Sequence, residues 1–363
     1  MVDVFDRIGG DEYEQVVYCH DRATGLQAII AIHSTRLGPA LGGTRFHPYV
    51  SEDAALTDVL RLARGMTYKA AAAGLDLGGG KAVIIGDPKV DKSEALLRAY
   101  ARYVDSLGGR YVTAEDVGTT QSDMDLIRRE TRFVTGASVE LGGSGDPSAA
   151  TAYGVLWGMK AVAGHLWGDT SLAGRHVVIS GVGKVGSILA RHLDEEQARV
   201  SVADVDEGRV AEVVTAVGAE AVPPEAAHRT PCDIFSPCAL GAVLSASTVP
   251  ELRCAAVVGA ANNQLADAGS AKLLDDAGIL YAPDYVVNAG GVINIAEELV
   301  PTGYHPERAR AAVRRIFDTT TALLARAVAD GVSTAEAADR LAQLRIEELS
   351  RVRQIRTSST STG

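Results

Sequence analysis

The sequence lacks the basic excess that nucleic-acid-binding proteins usually carry. Its 363 residues include 35 Lys and Arg against 46 Asp and Glu, so the formal net charge is −11 at pH 7. A protein that binds a phosphate backbone normally presents a positive face, so we expect no nucleic-acid partner. An acidic balance of this size mainly favours solubility.

Long apolar runs and paired cysteines are also missing. No stretch is long and apolar enough to cross a bilayer, and the start "MVDVFDRIGGDEYEQVV" lacks the apolar core of a signal peptide. The four cysteines form no Cys-x-x-Cys pair and no histidine cluster accompanies them, which argues against a metal site of the zinc type. We therefore expect a cytoplasmic protein with reduced thiols, no membrane contact and no metal.

The patterns that are present indicate two domains. Residues 16–33 read as a hairpin around Gly25, and helices are predicted after Ser51 and near Ser93. Beyond the glycine-rich stretch 142–148, β-branched runs alternate with helical segments, which is typical of a parallel sheet with helices on both faces. The predicted fold class is α/β, with an N-terminal α+β domain containing a mixed sheet, a Rossmann-type dinucleotide-binding domain and an active-site cleft between them.

The expected domain limits follow from these patterns. Residues 1–146 form the substrate-binding and oligomerisation domain, whose hairpin edge is a candidate subunit contact, and residues 147–325 form the dinucleotide-binding domain. Residues 326–363 are C-terminal helices that return toward the first domain, and the polar tail "RTSSTSTG" is predicted to be disordered.

The second domain contains a glycine motif of the kind that binds dinucleotides. Gly181, Gly183 and Gly186 follow the strand-like run "HVVIS" and begin a helix, and Asp204 ends the next predicted strand. In such motifs the first glycine allows a tight turn, the second lets the backbone approach a pyrophosphate, and the third permits close helix–strand packing. A carboxylate at Asp204 would bind ribose hydroxyls and repel a 2′-phosphate, which favours NAD over NADP. The predicted cofactor-binding residues here are Gly181, Val182, Gly183, Lys184, Val185, Gly186 and Asp204.

An alternative to nucleotide binding stays open for this motif at this point. The glycines could serve packing alone, without a nucleotide. Lys184, inside the motif, is most simply a solvated side chain, although it is within reach of a phosphate in the nucleotide-binding interpretation.

Two lysines have small and apolar neighbours on both sides, which is unusual for surface lysines. Lys69 lies in "GMTYKAAAAG" and Lys81 in "GGGKAVII". A desolvated lysine gives up its proton more readily and can act as a base near neutral pH. The glycines before Lys81 are interpreted as allowing a substrate or cofactor to approach the backbone. Asp116, in "TAEDVGTT", is either an Asx-turn or cap residue, or a second proton carrier that faces the lysine.

Several segments together resemble the family of amino-acid dehydrogenases that groups glutamate, leucine, valine and phenylalanine dehydrogenases, and they are closest to its leucine/valine branch. The resemblance spans nearly the whole chain except the tail. It is carried by "GPALGGTRF", "ARGMTYKAAAAGLDLGGGKAVI", "YVTAEDVGTT", the glycine motif, "GAANNQL" and "ILYAPDYVVNAGGVINIAEEL".

The resemblance implies an NAD-dependent, reversible oxidative deamination of an L-amino acid to the 2-oxo acid and ammonia, carried out by a homo-oligomer. Lys69 would hold the substrate carboxylate with help from the Gly42–Gly43 backbone. Lys81 would activate the water that attacks the imine, and Asp116 would exchange protons with the substrate nitrogen.

Further roles are implied for residues of the second domain. Asn262 would lie near the substrate carboxylate and the nicotinamide, and Thr151 near the nicotinamide carboxamide. Asn288 would begin a glycine segment that borders the pocket. These three are counted with the cofactor-binding residues.

The substrate is expected to be a branched-chain amino acid, namely valine, leucine or isoleucine. Where glutamate dehydrogenases carry a lysine before the Gly-Gly pair, this chain has Leu41, and a distal carboxylate buried without a partner would be costly. The pocket candidates are apolar: Leu41, Met66, Ala114, Val292 and Ile295. Each could equally be a core residue, Met66 above all. A phenylalanine-type specificity and a non-catalytic sensor of dinucleotide or amino acid are the alternatives.

Overall fold

The computed structural model describes residues 4–10 and 12–352, so the predicted disordered tail lies outside the described residues. The described chain divides into two compact units. The first contains the residues up to Gly145, residues 301–303 and those from Leu341 onward, and the second contains residues 146–300 and 304–340. The domain limits expected from the sequence stay a prediction.

The first unit is built on a mixed sheet, as the sequence predicts, and this sheet has five strands. Its strands are β1 Gln15–Asp21, β2 Leu26–Ser34, β3 Ala40–His47, β4 Gly78–Ile85 and β5 Tyr111–Glu115, in the order β1-β2-β4-β3-β5. β2 pairs antiparallel with β1 and β4, whereas β3 pairs parallel with β4 and β5. β4 is therefore the central strand, and seven of its eight residues are buried.

Helices cover both faces of this sheet. They are α1 Val4–Gly10, α2 Glu52–Ala72, α3 Glu94–Ser106 and α4 Gln121–Arg128. The helices expected after Ser51 and near Ser93 are α2 and α3, and each begins at a serine cap: the Ser51 hydroxyl accepts from the Ala54 N–H at 3.1 Å, and the Ser93 hydroxyl accepts from the Leu96 N–H at 3.2 Å. α2 packs Val59 and Ala63 against one face of the sheet, and α3 packs Leu97 against the other.

The second unit contains a six-stranded sheet in which every pairing is parallel. Its strands are β6 His176–Ser180, β7 Arg199–Ala203, β8 Glu220–Ala221, β9 Ile234–Pro237, β10 Ala256–Val257 and β11 Leu280–Tyr281, in the order β11-β10-β9-β6-β7-β8. The chain leaves β6 first toward β7 and later returns to β9 on its other side. Such a reversal creates a crevice at the carboxyl end of β6, where Rossmann-type sheets bind ligands.

Helices of the second unit pack on both sides of the parallel sheet. They are α5 Ser148–Trp167, α6 Lys184–Glu195, α7 Glu207–Val217, α8 Ala268–Asp276, α9 Asp284–Val287, α10 Gly290–Ala296, α11 Pro306–Arg314, α12 Ile316–Asp330 and α13 Thr334–Val352. Short 3-10 turns occur in this unit at Pro224–Arg229, Val249–Glu251 and Glu297–Leu299, and in the first unit at Val139–Leu141. α13 contributes to both units: Ala342 and Ile346 belong to an apolar cluster of the first, whereas the Thr334 hydroxyl donates to the Tyr281 carbonyl in the second.

Two sequence expectations about the second sheet differ from the structure. β8 was not predicted, because its two exposed residues carry no apolar pattern and pair with β7 through the backbone alone. Of the β-branched runs from which the parallel sheet was expected, those at residues 255–261 and 278–284 contribute only two ladder residues each. β-Branched composition reports burial there rather than strand length.

Residues 4–10 and 12–352 contain neither a helix fit to cross a membrane nor a metal-binding cluster. The helices in that part of the chain include none with the length and apolar character that a membrane crossing requires. The same residues contain no group of three or more His, Cys, Asp or Glu side chains arranged to hold a metal ion.

Candidate active site

Lys81 lies in the middle of β4 and is 5% exposed. Its ammonium forms an ion pair with Oδ2 of Asp116, whose carboxylate follows β5 two strands away. The structure therefore brings together the two residues for which the sequence indicates proton transfer. Because Lys81 sits on a central, hydrogen-bonded strand, its backbone is fixed and only the side chain can adjust.

The loop after β5 fixes the orientation of Asp116. Its N–H donates to the Thr119 hydroxyl at 2.9 Å, and its Oδ1 accepts from the Val117 N–H at 2.6 Å. The turn interpretation and the proton-carrier interpretation of Asp116 are thus compatible, since the backbone turn presents Oδ2 to Lys81.

The ionisation of Asp116 is set by two opposing effects. Burial alone would raise the pKa of this carboxyl, but attraction by Lys81 and Arg45 outweighs burial and holds the pKa below its usual value. Asp116 is therefore an anion at neutral pH, next to a buried ammonium.

Arg45 is a site residue that sequence reasoning missed. Its Nε lies 3.3 Å from Oδ1 of Asp116, and its Nη1 lies 2.8 Å from Oδ2 of Asp58 on α2. The sequence contains a signal for Arg45. Gly43 is a predicted substrate residue, and Arg45, two residues further along the same strand, points to the same face of the sheet.

The glycines before Lys81 have a different role from the one inferred from the sequence. A Cβ at Gly79 would lie 2.1 Å from the backbone nitrogen of Thr67 on α2, and one at Gly80 would lie 2.8 Å from the ring of Tyr111. A Cβ at Gly78 would meet the Ser34 carbonyl at 1.9 Å. The space beside these glycines is filled by protein, so they permit close packing of α2 and neighbouring strands rather than the approach of a substrate or cofactor.

The other predicted substrate residues of the first unit cluster around β3 and α2. A Cβ at Gly42 would lie only 1.8 Å from the Gly80 carbonyl oxygen, and 3.4 Å from Cγ of Met66, which is an ordinary contact. Met66 and Lys69 are three residues apart on α2 and share a face; both are half-buried. At Gly43, a Cβ would lie 3.0 Å from Cβ of Asp116. Small residues on β3 therefore adjoin both α2 and the Asp116 loop.

Leu41 and Ala114 are more deeply packed than the sequence indicated. Leu41 has no exposed surface and Ala114 has 3%. Met66, which looked most like a packing residue, is the one of these three whose side chain reaches the surface. Their contact with a substrate stays a prediction.

In the second unit, the glycine motif forms the turn between β6 and α6. Gly181 has φ +104°, and a Cβ there would meet Ala239 at 2.5 Å, so this position requires glycine. A Cβ at Gly186 would lie 2.0 Å from the Gly181 carbonyl oxygen. At Gly183, by contrast, the nearest atom to a Cβ is Nη1 of Arg209 at 3.9 Å. The first and third glycines serve the turn and its packing, and the second has open space beside it.

These features fit a dinucleotide. The N–H groups at the start of α6, next to the open side of Gly183, are suited to a pyrophosphate. Asp204 directly follows β7, and its Oδ2 accepts from the Val182 N–H at 2.8 Å, which holds the carboxylate beside the turn. Lys184 is 72% exposed and its ammonium lies 2.7 Å from Asp146, in agreement with a solvated side chain.

The remaining predicted residues of the second unit lie on loops and helices near its sheet. The Asn288 side-chain amide donates to Oδ1 of Asn262 at 2.8 Å, so these two residues are brought together. The Thr151 hydroxyl lies at the start of α5, where it would be 2.7 Å from a Cβ at Gly291. Val292 is 6% exposed and Ile295, on the same helix, is half-buried.

Comparisons with known proteins agree with this arrangement. A model described as the dimerisation domain of Glu/Leu/Phe/Val dehydrogenase matches residues 13–133, and one described as glutamate/leucine/phenylalanine/valine dehydrogenase matches residues 142–213 and 201–354. A leucine dehydrogenase of Geobacillus stearothermophilus is 54% identical over 342 residues, covering 94% of this chain and 93% of the relative. A valine dehydrogenase of Streptomyces virginiae is 57% identical, covering 93% and 94%.

A solved structure is similar over the same length. It is an L-tryptophan dehydrogenase from Nostoc punctiforme, with a TM-score of 0.84 and 44% identity, and the match covers 96% of this chain and 100% of that one.

Proposed function

The chain belongs to the glutamate/leucine/phenylalanine/valine dehydrogenase family, and on that basis we propose how its residues carry out the reaction. The enzyme is an amino-acid dehydrogenase that catalyses the reversible oxidative deamination of branched-chain L-amino acids to 2-oxo acids and ammonia. The observation that carries the proposed mechanism is the ion pair between the buried Lys81 and the half-buried Asp116.

The chemistry requires two proton-transfer functions. The Cα–H bond of the substrate can be broken as a hydride only when the amine is neutral, so a base must first remove a proton from the nitrogen. The resulting imine must then gain a water molecule, which needs a second acid–base group. A bound nicotinamide supplies the hydride acceptor.

Lys81 and Asp116 are suited to divide this work. Asp116 is an anion in a largely buried position and takes the proton from the substrate nitrogen. Lys81, on the rigid central strand, activates the water and stabilises the negative charge that develops on its oxygen. Lys69, with the Gly42 and Gly43 backbone, holds the substrate carboxylate, and Lys69 acts there as a fixed positive charge.

The substrate side chain is assigned to apolar residues. Leucine and valine dehydrogenases more than 50% identical to this chain support aliphatic substrates, as does Leu41 in the place where the family's glutamate enzymes carry a lysine. The proposed contacts are Leu41, Met66, Ala114, Val292 and Ile295. The likeness to a tryptophan dehydrogenase makes an aromatic substrate the second candidate.

The family depends on NAD or NADP, and we propose NAD for this chain. The support is Asp204, whose carboxylate is held beside the glycine turn by the Val182 N–H. A negative charge there repels the 2′-phosphate of NADP and accepts hydrogen bonds from the ribose hydroxyls of NAD. Thr151, Asn262 and Asn288 are proposed to contact the nicotinamide side.

Oligomerisation is expected, because residues 13–133 match a dimerisation domain. We propose a homo-oligomer in which the open edge of β1 takes part, since an unpaired strand edge is a ready pairing surface. A cytoplasmic location also belongs to the proposal, and four free cysteines accord with a reducing compartment.

A panel of L-amino acids with NAD⁺ and NADP⁺ side by side tests the proposal. We expect NADH formation with leucine, valine and isoleucine, weak formation with phenylalanine and tryptophan, and little activity with NADP⁺. Faster turnover of an aromatic substrate would move the specificity to the second candidate. Absence of turnover with every substrate would support the sensor interpretation and contradict the proposal.

A further inference from the structure

We propose that Arg45 is a positioning residue that holds one oxygen of Asp116, leaves the other directed at Lys81, and is itself shared between Asp116 and Asp58. This inference rests on the proposed role of Asp116 in proton transfer. In this proposal, the ion pairs of Arg45 with Asp116 and with Asp58 set the pH range in which the proton transfer works.

The two oxygens of Asp116 have different surroundings. Oδ1 accepts from the Val117 N–H at 2.6 Å and from Nε of Arg45 at 3.3 Å, whereas Oδ2 faces Lys81. A backbone N–H and a guanidinium both keep their protons throughout the working pH range. A proton that moves on or off Asp116 therefore uses Oδ2.

Asp58 in turn holds Arg45. Its Oδ2 lies 2.8 Å from Nη1 of Arg45 and accepts from the Tyr49 hydroxyl at 2.7 Å. Its Oδ1 lies 2.9 Å from Nη2 of Arg61. The side chains of Arg45 and Asp58 are only 23% and 17% exposed, so solvent screens their interaction weakly. The planar fork of an arginine presents its donors in fixed directions, so it can bind both carboxylates at once and hold each in a set orientation.

The charged and titratable groups that face Asp116 come from each neighbouring strand. They are Lys81 on β4, Arg45 on β3 and the phenol of Tyr111 on β5. Burial raises the pKa of Tyr111 to about 12, so this phenol remains neutral. Arg45 is therefore the second cation that acts on the Lys81–Asp116 pair, and Asp58 competes for its charge.

This competition predicts shifts of opposite sign. Without Arg45 the potential at the pair becomes more negative, protons are bound more tightly, and the limbs of the pH–rate profile move to higher pH. Without the charge of Asp58, Arg45 acts more fully on Asp116, protons are bound less tightly, and the limbs move to lower pH. A purely structural role for either residue would lower activity without a directed shift.

The test is the pH dependence of kcat/KM for L-leucine with NAD⁺ in three variants. For Arg45→Gln we expect the acid limb to move up by about one pH unit. Asp58→Asn should move it down. Arg61→Gln is the matched control: it removes a cation from Asp58 without touching Asp116, and its side chain is 55% exposed, so its shift should be less than about a third of that of Arg45→Gln.

The outcomes separate this inference from the proposed function. An unmoved limb in Arg45→Gln, or shifts of the same sign in Arg45→Gln and Asp58→Asn, would overturn it. Should Arg45→Gln fail to fold, Arg45→Lys decides: the limb should stay near wild type while kcat falls, and a limb shift upward would contradict the proposal. Asp116→Asn separates a failure of the proposed function from a failure of this inference. Full turnover by Asp116→Asn would contradict the proposed mechanism itself. An inactive Asp116→Asn, together with an unshifted pH profile in Arg45→Gln, would contradict only the inference about Arg45.

Discussion

Replacing Gly79 by alanine tests why the chain carries three glycines before Lys81. The structure places Gly79 of β4 directly against α2, where an added Cβ would lie 2.1 Å from the backbone nitrogen and 2.2 Å from the hydroxyl of Thr67. Ordinary carbon contacts are about 3.5–4.0 Å, so the helix backbone would have to move by more than an ångström. Thr67 is 1% exposed and has no room to yield by rotation.

The expected cost can be set against a matched control. Overpacking a well-packed site costs about 1–3 kcal/mol, and Gly79 lies at the upper end because the obstructing atoms belong to a backbone. Gly65, in the middle of α2, has nothing within 4 Å of a Cβ, so Gly65→Ala should stabilise the protein by about 0.5–1 kcal/mol. The two alanine variants should therefore differ in unfolding free energy by about 2–4 kcal/mol.

Urea unfolding and thermal melting of the two variants measure this difference. Gly79→Ala should also raise the KM for the amino acid, because α2 carries Met66 and Lys69. A Gly79→Ala variant with wild-type stability and lost activity would show that the glycine exists for the approach of a ligand, and the packing explanation would be wrong.

Three further variants probe the cofactor turn and the buried carboxylate. Gly183→Ala adds a methyl group to open space, so we expect unchanged melting but a higher KM for NAD⁺; a fall in melting temperature would contradict that reading. Asp204→Asn removes the charge that repels a 2′-phosphate, and the ratio of NADP⁺ to NAD⁺ activity should rise; an unchanged ratio would count against Asp204 as the discriminating residue. The pKa of Asp116 is lowered in the folded protein: burial opposes ionisation, but Lys81 and Arg45 outweigh it. Its charge therefore stabilises the fold above the ordinary aspartate pKa of about 3.9 and loses that effect as the pH falls. The difference in unfolding free energy between wild type and Asp116→Asn should shrink toward low pH, and a difference independent of pH would refute the assignment.

Local patterns predicted much of the fold and part of the site. The helices after Ser51 and near Ser93, the 16–33 hairpin and the strand before Gly181 could be predicted because each depends on neighbouring residues along the chain. The same holds for the glycine turn, whose spacing encodes its geometry.

What the sequence did not reveal depends on partners that are distant along the chain. Arg45 is recognisable as a site residue only once β3 is seen beside Asp116 and α2. The atoms that exclude a side chain at Gly79 belong to Thr67, on the helix before the strand, so the glycine was assigned to a ligand instead. β8 is a strand only because its backbone pairs with β7, and side-chain patterns do not predict such pairing.

The most direct test of the mechanism is the turnover of L-leucine by Lys81→Ala, followed by NADH absorbance, together with NAD⁺ binding followed by fluorescence titration. Lys81 lies in the first unit, away in sequence from the glycine turn, so NAD⁺ affinity should be unchanged while kcat falls by at least about a hundredfold. Turnover within about tenfold of wild type would contradict the assignment of proton transfer to the Lys81–Asp116 pair.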